Sequence, residues 1–268
     1  MTEAPKSGPR EAKPVSEARL ASTVLLLRQN AAEMEVFMVV RHHQIDFASG
    51  ALVFPGGSVD PADREIAAQP ELFRAGGALD ASALALRVGA VRETFEECGI
   101  LLARPRGSEA LISAAELGAI GQPKAETAAA FLDFVAAAKL ELALDLLVPF
   151  AHWITPTAMP KRFDTHFFMA VAPADQVGVH DGREAVESVW IAPNRAVEEA
   201  RAGKFTLVFA TERNLIKLAR AAGVADAIAR AKAEPIVTVM PEMFKDEGGN
   251  RHLRIPKDSG YDGEVFTI

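Results

Sequence analysis

Cysteine is nearly absent: Cys98 is the one thiol in 268 residues. A disulfide framework within the chain is therefore impossible, a Cys-based zinc site is disfavoured, and the usage fits a reducing compartment. Long hydrophobic runs are missing too. No stretch reaches the roughly 18 apolar residues of a membrane span, and Met1 to Glu17, with Pro5, Pro9 and Pro14 among charged residues, has no apolar core of a secretory signal. Residues 1–18 read as a flexible tail. The closing Phe266-Thr267-Ile268 is not a Ser-Lys-Leu-type address, and a cytoplasmic location is expected. Positive charge is in deficit, with 29 Lys and Arg against 36 Asp and Glu. The resulting −7 argues against broad binding to nucleic acid or to anionic membranes. A small anionic substrate stays compatible, because a bound cation and a few local Arg or Lys residues override the overall field. Neither a Gly-Lys-Ser/Thr phosphate loop nor a Gly-x-Gly-x-x-Gly fingerprint occurs, and there is no internal repeat.

What is present supports a sizeable core, since 49% of residues are hydrophobic. Residues Ala21–Leu27, Val36–Val40 and Leu52–Phe54 read as strands, the last ending in the turn signal Pro55-Gly56-Gly57. Asp60 to about Asp80 reads as irregular. Asp80 or Ser82 caps an expected helix to Cys98, with Leu84, Val88, Val91 and Phe95 on one face and Gly99 as its left-handed terminator. Ser113–Leu147 is helical in character. Phe150–Thr155, Phe163–Val171 and Val186–Ile191 read as strands, and Pro193 opens a short helix. One or two helices, split near Gly223, are expected over Phe205–Ala233. Ile236–Met240 and Leu253–Ile255 are candidate edge strands. Strands with interspersed helices and no clear linker predict one α/β domain over residues 19–268.

The chemistry-bearing stretch is Arg92-Glu93-Thr94-Phe95-Glu96-Glu97-Cys98-Gly99-Ile100. On a helix, Glu93, Glu96 and Glu97 stand at i, i+3 and i+4 and share a face. Like charges at that spacing repel by roughly 0.2–0.5 kcal/mol per pair, and the negative end of the helix dipole adds a further penalty. A hard divalent cation, Mg²⁺ or Mn²⁺, resolves the conflict and also binds phosphate oxygens. Taken alone, the run equally fits a solvated acidic face.

This segment, with Gly57-Ser58-Val59-Asp60-Pro61-Ala62-Asp63 upstream, resembles the signature box of the Nudix hydrolases. That box reads Gly, five residues, Glu, seven residues, Arg-Glu, apolar, any, Glu-Glu, any, Gly, apolar. Thr94 replaces an apolar residue and Asp63 replaces the first Glu. Residues 64–91, 28 positions, stand where the family has seven. The long interval, Phe54-Pro55-Gly56-Gly57, Trp153-Ile154-Thr155-Pro156 and Arg162-Phe163-Asp164-Thr165-His166-Phe167-Phe168 are similar to the branch that includes the peroxisomal coenzyme A diphosphatases. The likeness spans roughly residues 20–200.

The resemblance implies a Nudix fold: a mixed β-sheet sandwiched between helices, with insertions at about 64–80 and 105–147 and a helical C-terminal extension. It implies Glu96 and Glu97 as principal metal ligands and Glu93 as a further ligand or as the residue orienting metal-bound water. Arg92 would hold a box carboxylate through a bidentate contact. Gly57, beside Gly56, would leave room for backbone next to the metal, and Asp63 has a weaker role. For the general base, Glu184 and Glu187 are candidates from a flanking loop, equally readable as exposed loop acids, and His166 is another, although a lone His in an apolar strand is more often a packed or hydrogen-bonded residue.

The implied reaction is hydrolysis of a diphosphate in a nucleoside diphosphate derivative, with coenzyme A or an acyl derivative leading. ADP-ribose, NADH or a non-catalytic nucleotide-binding module are the alternatives. Arg41, Gly50 and Phe54-Pro55-Gly56-Gly57 keep the spacing of the coenzyme A motif, but His42 and Asp46 replace its small residue and second Arg, and Asp46 would repel a 3′-phosphate. Arg162 beside Lys161, and Arg41 beside His42 and His43, could meet phosphate. Phe163 and Trp153 could stack on a base, although strand aromatics are usually core. The histidines are too scattered for a recognisable zinc motif. The region after Ser113 could form a lid or a partner surface, and a homodimer is one arrangement it allows.

Overall fold

The computed structural model describes residues 16–41, 50–121, 123, 127–178 and 185–268. The expected tail before residue 16, His42, His43, Asp46 and Glu184 lie outside them. The main sheet begins with β1 (Arg19–Gln29) and β2 (Met34–Arg41). Val24 to Leu27 are all fully buried. Both faces of β1 are covered, so its apolar run is continuous instead of alternating. Val24 and Leu26 enter one core, Leu25 and Leu27 the other.

Next come β3 (Leu52–Val53) on β2 and β4 (Gly56–Ser58) on β1. The break between them is Pro55, so the expected Leu52–Phe54 strand is shorter and a second one follows. Gly56 has φ +153°, and a Cβ there would lie 2.3 Å from the Ser22 carbonyl oxygen and 2.6 Å from the Thr23 Cα. Only glycine fits this approach to β1.

Residues 60–80 are irregular only in part, chiefly over 75–80. Helix α1 (Pro61–Ala67) starts with a capping box: Asp60 Oδ1 accepts from the Ala62 N–H and Asp63 Oδ2 from the Asp60 N–H. Pro61 occupies the first helical turn, where its missing N–H costs nothing. A two-residue strand, β5 (Phe73–Arg74), precedes α2 (Ala81–Cys98), which has the expected ends: Asp80 caps the Ala83 N–H at 2.8 Å and Gly99 terminates at φ +70°. The helix packs on β1 and β4 and is buried on more than one side.

After β6 (Ala103–Pro105), α3 (Ala114–Ile120) and α4 (Ala128–Ala137) are helical as composition suggests, but β7 (Leu140–Ala143) is a strand. It pairs with β5 and β6 in a three-stranded sheet. Tertiary pairing here overrides the helical preference of a Leu- and Ala-rich stretch. The hairpin β8 (Val148–Ile154) and β9 (Phe163–Val171) returns to the main sheet, followed by β10 (Ala185–Ile191). Helices α5 (Pro193–Arg201), α6 (Phe209–Leu218) and α7 (Val224–Ala233) lead to β11 (Thr238–Val239). A small antiparallel sheet of β12 (Glu242–Lys245), β13 (Arg251–Arg254) and β14 (Val265–Thr267) closes the described chain.

The main sheet runs β10-β2-β1-β9-β8-β11, with β9 parallel to β1. One face packs against α1, α2 and α4, the other against α5, α6 and α7. The fold is therefore a mixed sheet between helical layers. No helix among the described residues is long and apolar enough to cross a membrane.

Gly56→Ala should destabilise the chain by more than about 2 kcal/mol, because backbone lies where the methyl group would go. Denaturant unfolding checks it; an unchanged midpoint would mean that β4 does not sit this close to β1.

Candidate functional site

The acids of α2 are organised by Arg92, which is 4% exposed. Its Nε and Nη2 donate to Asp63 Oδ1 and Oδ2 at 2.8 and 2.9 Å. Nη2 also donates to the Ser58 carbonyl at 3.1 Å, and Nη1 reaches Glu96 Oε2 at 2.7 Å and Glu93 Oε1 at 2.9 Å. The guanidinium thereby ties α1, α2 and β4 together. Burial opposes its charge, but hydrogen bonds to Asp63 and the nearby Glu93, Asp63 and Glu96 carboxylates push its pKa up, so it stays protonated.

Asp63 is fully buried and takes the bidentate contact that the sequence left without a named partner. Its shorter side chain reaches because α1 delivers it directly against α2. Gly89 makes that possible: a Cβ on it would stand 3.0 Å from Asp63 Oδ2 and 3.3 Å from Ser22 Oγ. Gly57 serves Glu93 similarly, since a Cβ there would meet Glu93 Oε2 at 2.5 Å. Glu97, 7% exposed, accepts the Gly56 N–H at 2.9 Å through Oε2. Glu93 and Glu96 therefore converge on one Arg92 nitrogen, while Glu97 faces the β4 backbone.

Burial is the main cause pushing the Glu93 carboxyl up to about 7; Arg92 opposes it and Glu96 adds to it. Within this group three carboxylates meet one guanidinium and Glu97 stands beside them on the Gly56 N–H, an excess of negative charge in a poorly solvated place. That donor set fits a hard divalent cation, which needs only a few carboxylate oxygens when phosphate and water complete its shell.

The remaining sequence candidates sit elsewhere. Arg41 ends β2, partly buried, where its N–H donates to the Ala51 carbonyl. Glu187 is exposed on β10, in register with Val40. Arg162 is engaged with carbonyls, Nε to Thr155 at 3.0 Å and Nη1 to Ser16 at 2.7 Å. Phe163 is half-buried at the start of β9. Trp153 is a core residue, the usual case for a strand aromatic: it is 5% exposed among the residues facing α5–α7, and its Nε1 donates to the Tyr261 hydroxyl at 2.8 Å. His166 is not a lone histidine. It stacks on His152 at 4.0 Å, and burial, then the neighbouring His152, lower its pKa. Sequence distance hid that pairing; the strand register supplies it.

The family model of the NUDT19 Nudix domain matches residues 70–210, more than half of the chain. The chain is 26% identical to a putative nudix hydrolase 7 of Caenorhabditis elegans, covering 73% of this chain and 58% of that protein. It is 23% identical to the acyl-coenzyme A diphosphatase NUDT19 of Xenopus laevis, covering 90% and 76%. The chicken protein of that name is 27% identical, covering 65% and 58%. The chain thus spans under two thirds of the worm and chicken relatives. A crystal structure of a Nudix hydrolase from Alicyclobacillus acidocaldarius superposes with a TM-score of 0.67 at 28% identity, covering 81% of this chain and 97% of that one.

Two outcomes follow from the Arg92 cluster. Arg92→Met should cost about 3–5 kcal/mol, since Asp63 is left buried and uncompensated, and adding Asp63→Asn should return part of it in equilibrium unfolding. Equal losses in single and double variants would point to packing and not charge. In chelator-treated protein, Glu93 contributes most to stability when protonated. Its contribution falls as pH rises from about 4.5 toward about 7. Glu93→Gln should then be more stable than wild type at pH 8 by on the order of 2–3 kcal/mol, with the gap closing near pH 4.5. A pH-independent gap would refute the burial argument.

Proposed function

The chain belongs to the Nudix hydrolases, matching the NUDT19 Nudix domain, and on that premise we propose that it hydrolyses the diphosphate of a nucleoside diphosphate derivative with the help of Mg²⁺ or Mn²⁺. Coenzyme A or an acyl-CoA is the leading substrate, in keeping with relatives named acyl-coenzyme A diphosphatase. The carrying observation is the gathering of Glu93, Glu96 and Asp63 around buried Arg92, with Glu97 beside them on the Gly56 N–H.

A divalent cation held there by Glu96 and Glu97, with Glu93 as further ligand or water-orienting group, would polarise a phosphoryl oxygen and acidify the attacking water. The chain's own part is positional. Arg92 fixes the Glu93 and Glu96 side chains, limiting the motion that would blur their aim. Asp63 holds Arg92 in turn, from a helix whose cap it also completes. Gly56 and Gly57 bring the β4 backbone against the carboxylates without an intervening side chain. Arg41 is a candidate phosphate contact and Glu187 a candidate base. Arg162, already bonded to two carbonyls, contributes to the fold first. The products and substrate are small molecules, and the acidic balance of the chain suits no nucleic-acid partner.

Glu96→Gln and Glu97→Gln should each lower metal-dependent turnover by at least about 100-fold with the fold retained. The assay is a panel of coenzyme A, acyl-CoA, ADP-ribose and NADH with Mg²⁺ or Mn²⁺, read by product mass. Formation of 3′,5′-ADP and 4′-phosphopantetheine supports the leading substrate. Cleavage of ADP-ribose alone replaces it, and undiminished turnover in both variants defeats the metal assignment.

A further inference from the structure

A second cluster of metal-binding donors lies on the α2 side of the sheet, apart from the acids of α2. Asp164 and His166 are two residues apart on β9 and so share a face. His152 on β8 is the direct cross-strand partner of His166. His152 Nε2 lies 2.5 Å from Asp164 Oδ1, and His166 Nε2 lies 3.7 Å from the same oxygen. One donor atom from each of the three lies within 4.8 Å of the others. All three side chains are half-buried, reachable by solvent but held by the sheet.

The geometry points to a separate site for a transition-metal dication of the Zn²⁺ class, ligated by His152, Asp164 and His166, with a fourth position open to water. Two imidazoles and one carboxylate suit such borderline ions, whereas Mg²⁺ prefers oxygen alone. Two positions on one strand and the facing residue on the next converge from a rigid base.

The surroundings also suit a ligand histidine. His152 Nδ1 is bonded at 2.8 Å to Thr238 Oγ1, contributed by β11 on the far side of β8. A ligating imidazole commonly fixes its second nitrogen this way, leaving the first to the metal. The two rings, stacked at 4.0 Å and 21°, must fan apart for both lone pairs to meet one ion. Rotation about χ2 of histidine is soft enough to permit it. Arg87 of α2, over the Phe168 ring and close enough to act on His166, opposes a dication, and the Asp164 charge offsets it.

The site is distinct from the glutamates. Gly57, Ser22, His166 and His152 form one row across β4, β1, β9 and β8. His166 is thus two strands, about 10 Å, from the glycine that cradles Glu93.

The test is zinc titration of the full chain against a chromogenic chelator, with millimolar Mg²⁺ present to occupy oxygen-only sites. Wild type and Glu97→Gln should each bind one zinc that His166→Ala and Asp164→Asn lose, with affinity falling more than about 100-fold. Thr238→Val should weaken it about 10- to 100-fold. Co²⁺ in place of Zn²⁺ should give visible ligand-field absorption with the same variant dependence. Circular dichroism identifies any variant that fails to fold, in which case the other ligand variant decides. Zinc binding that survives both ligand variants, or that disappears only in Glu97→Gln, overturns the proposal and leaves His152–Asp164 as a hydrogen-bonded pair.

Discussion

The arrangement depends on one buried ion pair, Arg92 with Asp63. A guanidinium and a carboxylate removed from water lose solvation worth several kcal/mol each, and only good geometry and additional hydrogen bonds recover it. Here the fork is bidentate, and its remaining donors reach Glu93, Glu96 and the Ser58 carbonyl. Such a pair contributes little net stability compared with apolar packing. What it provides is position: α1, α2 and β4 can meet in one register, and the acids of α2 inherit that register.

The same constraint explains the glycines. Carboxylates packed against backbone need places without a Cβ, and Gly57 and Gly89 provide them for Glu93 and Asp63. Gly56 adds a backbone that only glycine adopts, and its N–H holds Glu97. It also explains why 28 residues can stand between Asp63 and Arg92. The intervening segment leaves from α1 and returns through α2, whose packing against each other fixes both ends. Lengthening a loop between fixed ends costs only slowly growing entropy. Strand β5 of that segment then pairs with β7, giving the peripheral segments a small sheet of their own.

The two faces of the sheet divide the work. The face against α2 carries the acids, the Arg92 cluster and the His152–Asp164–His166 group. On the opposite face Trp153 packs, and its N–H joins the Tyr261 hydroxyl, which donates to Asn214 at 2.6 Å. That chain of hydrogen bonds anchors the C-terminal segment to β8. Both faces of β8 are thereby used, through alternate residues of a single strand.

Local pattern alone determined the helix α2, its Asp80 and Gly99 ends, the shared face of Glu93, Glu96 and Glu97, and the α/β class, because capping and periodicity act within a few residues. It misread α1, where Pro61 is a breaker in one context and a helix opener in another, and β7, where strand pairing outweighs composition. The partner of Arg92, the burial of Trp153 and the meeting of His152 with His166 were settled only by the tertiary structure. Each depends on which strand or helix lies next to which, and that adjacency follows from the packing of the whole sheet, which no short stretch of sequence encodes.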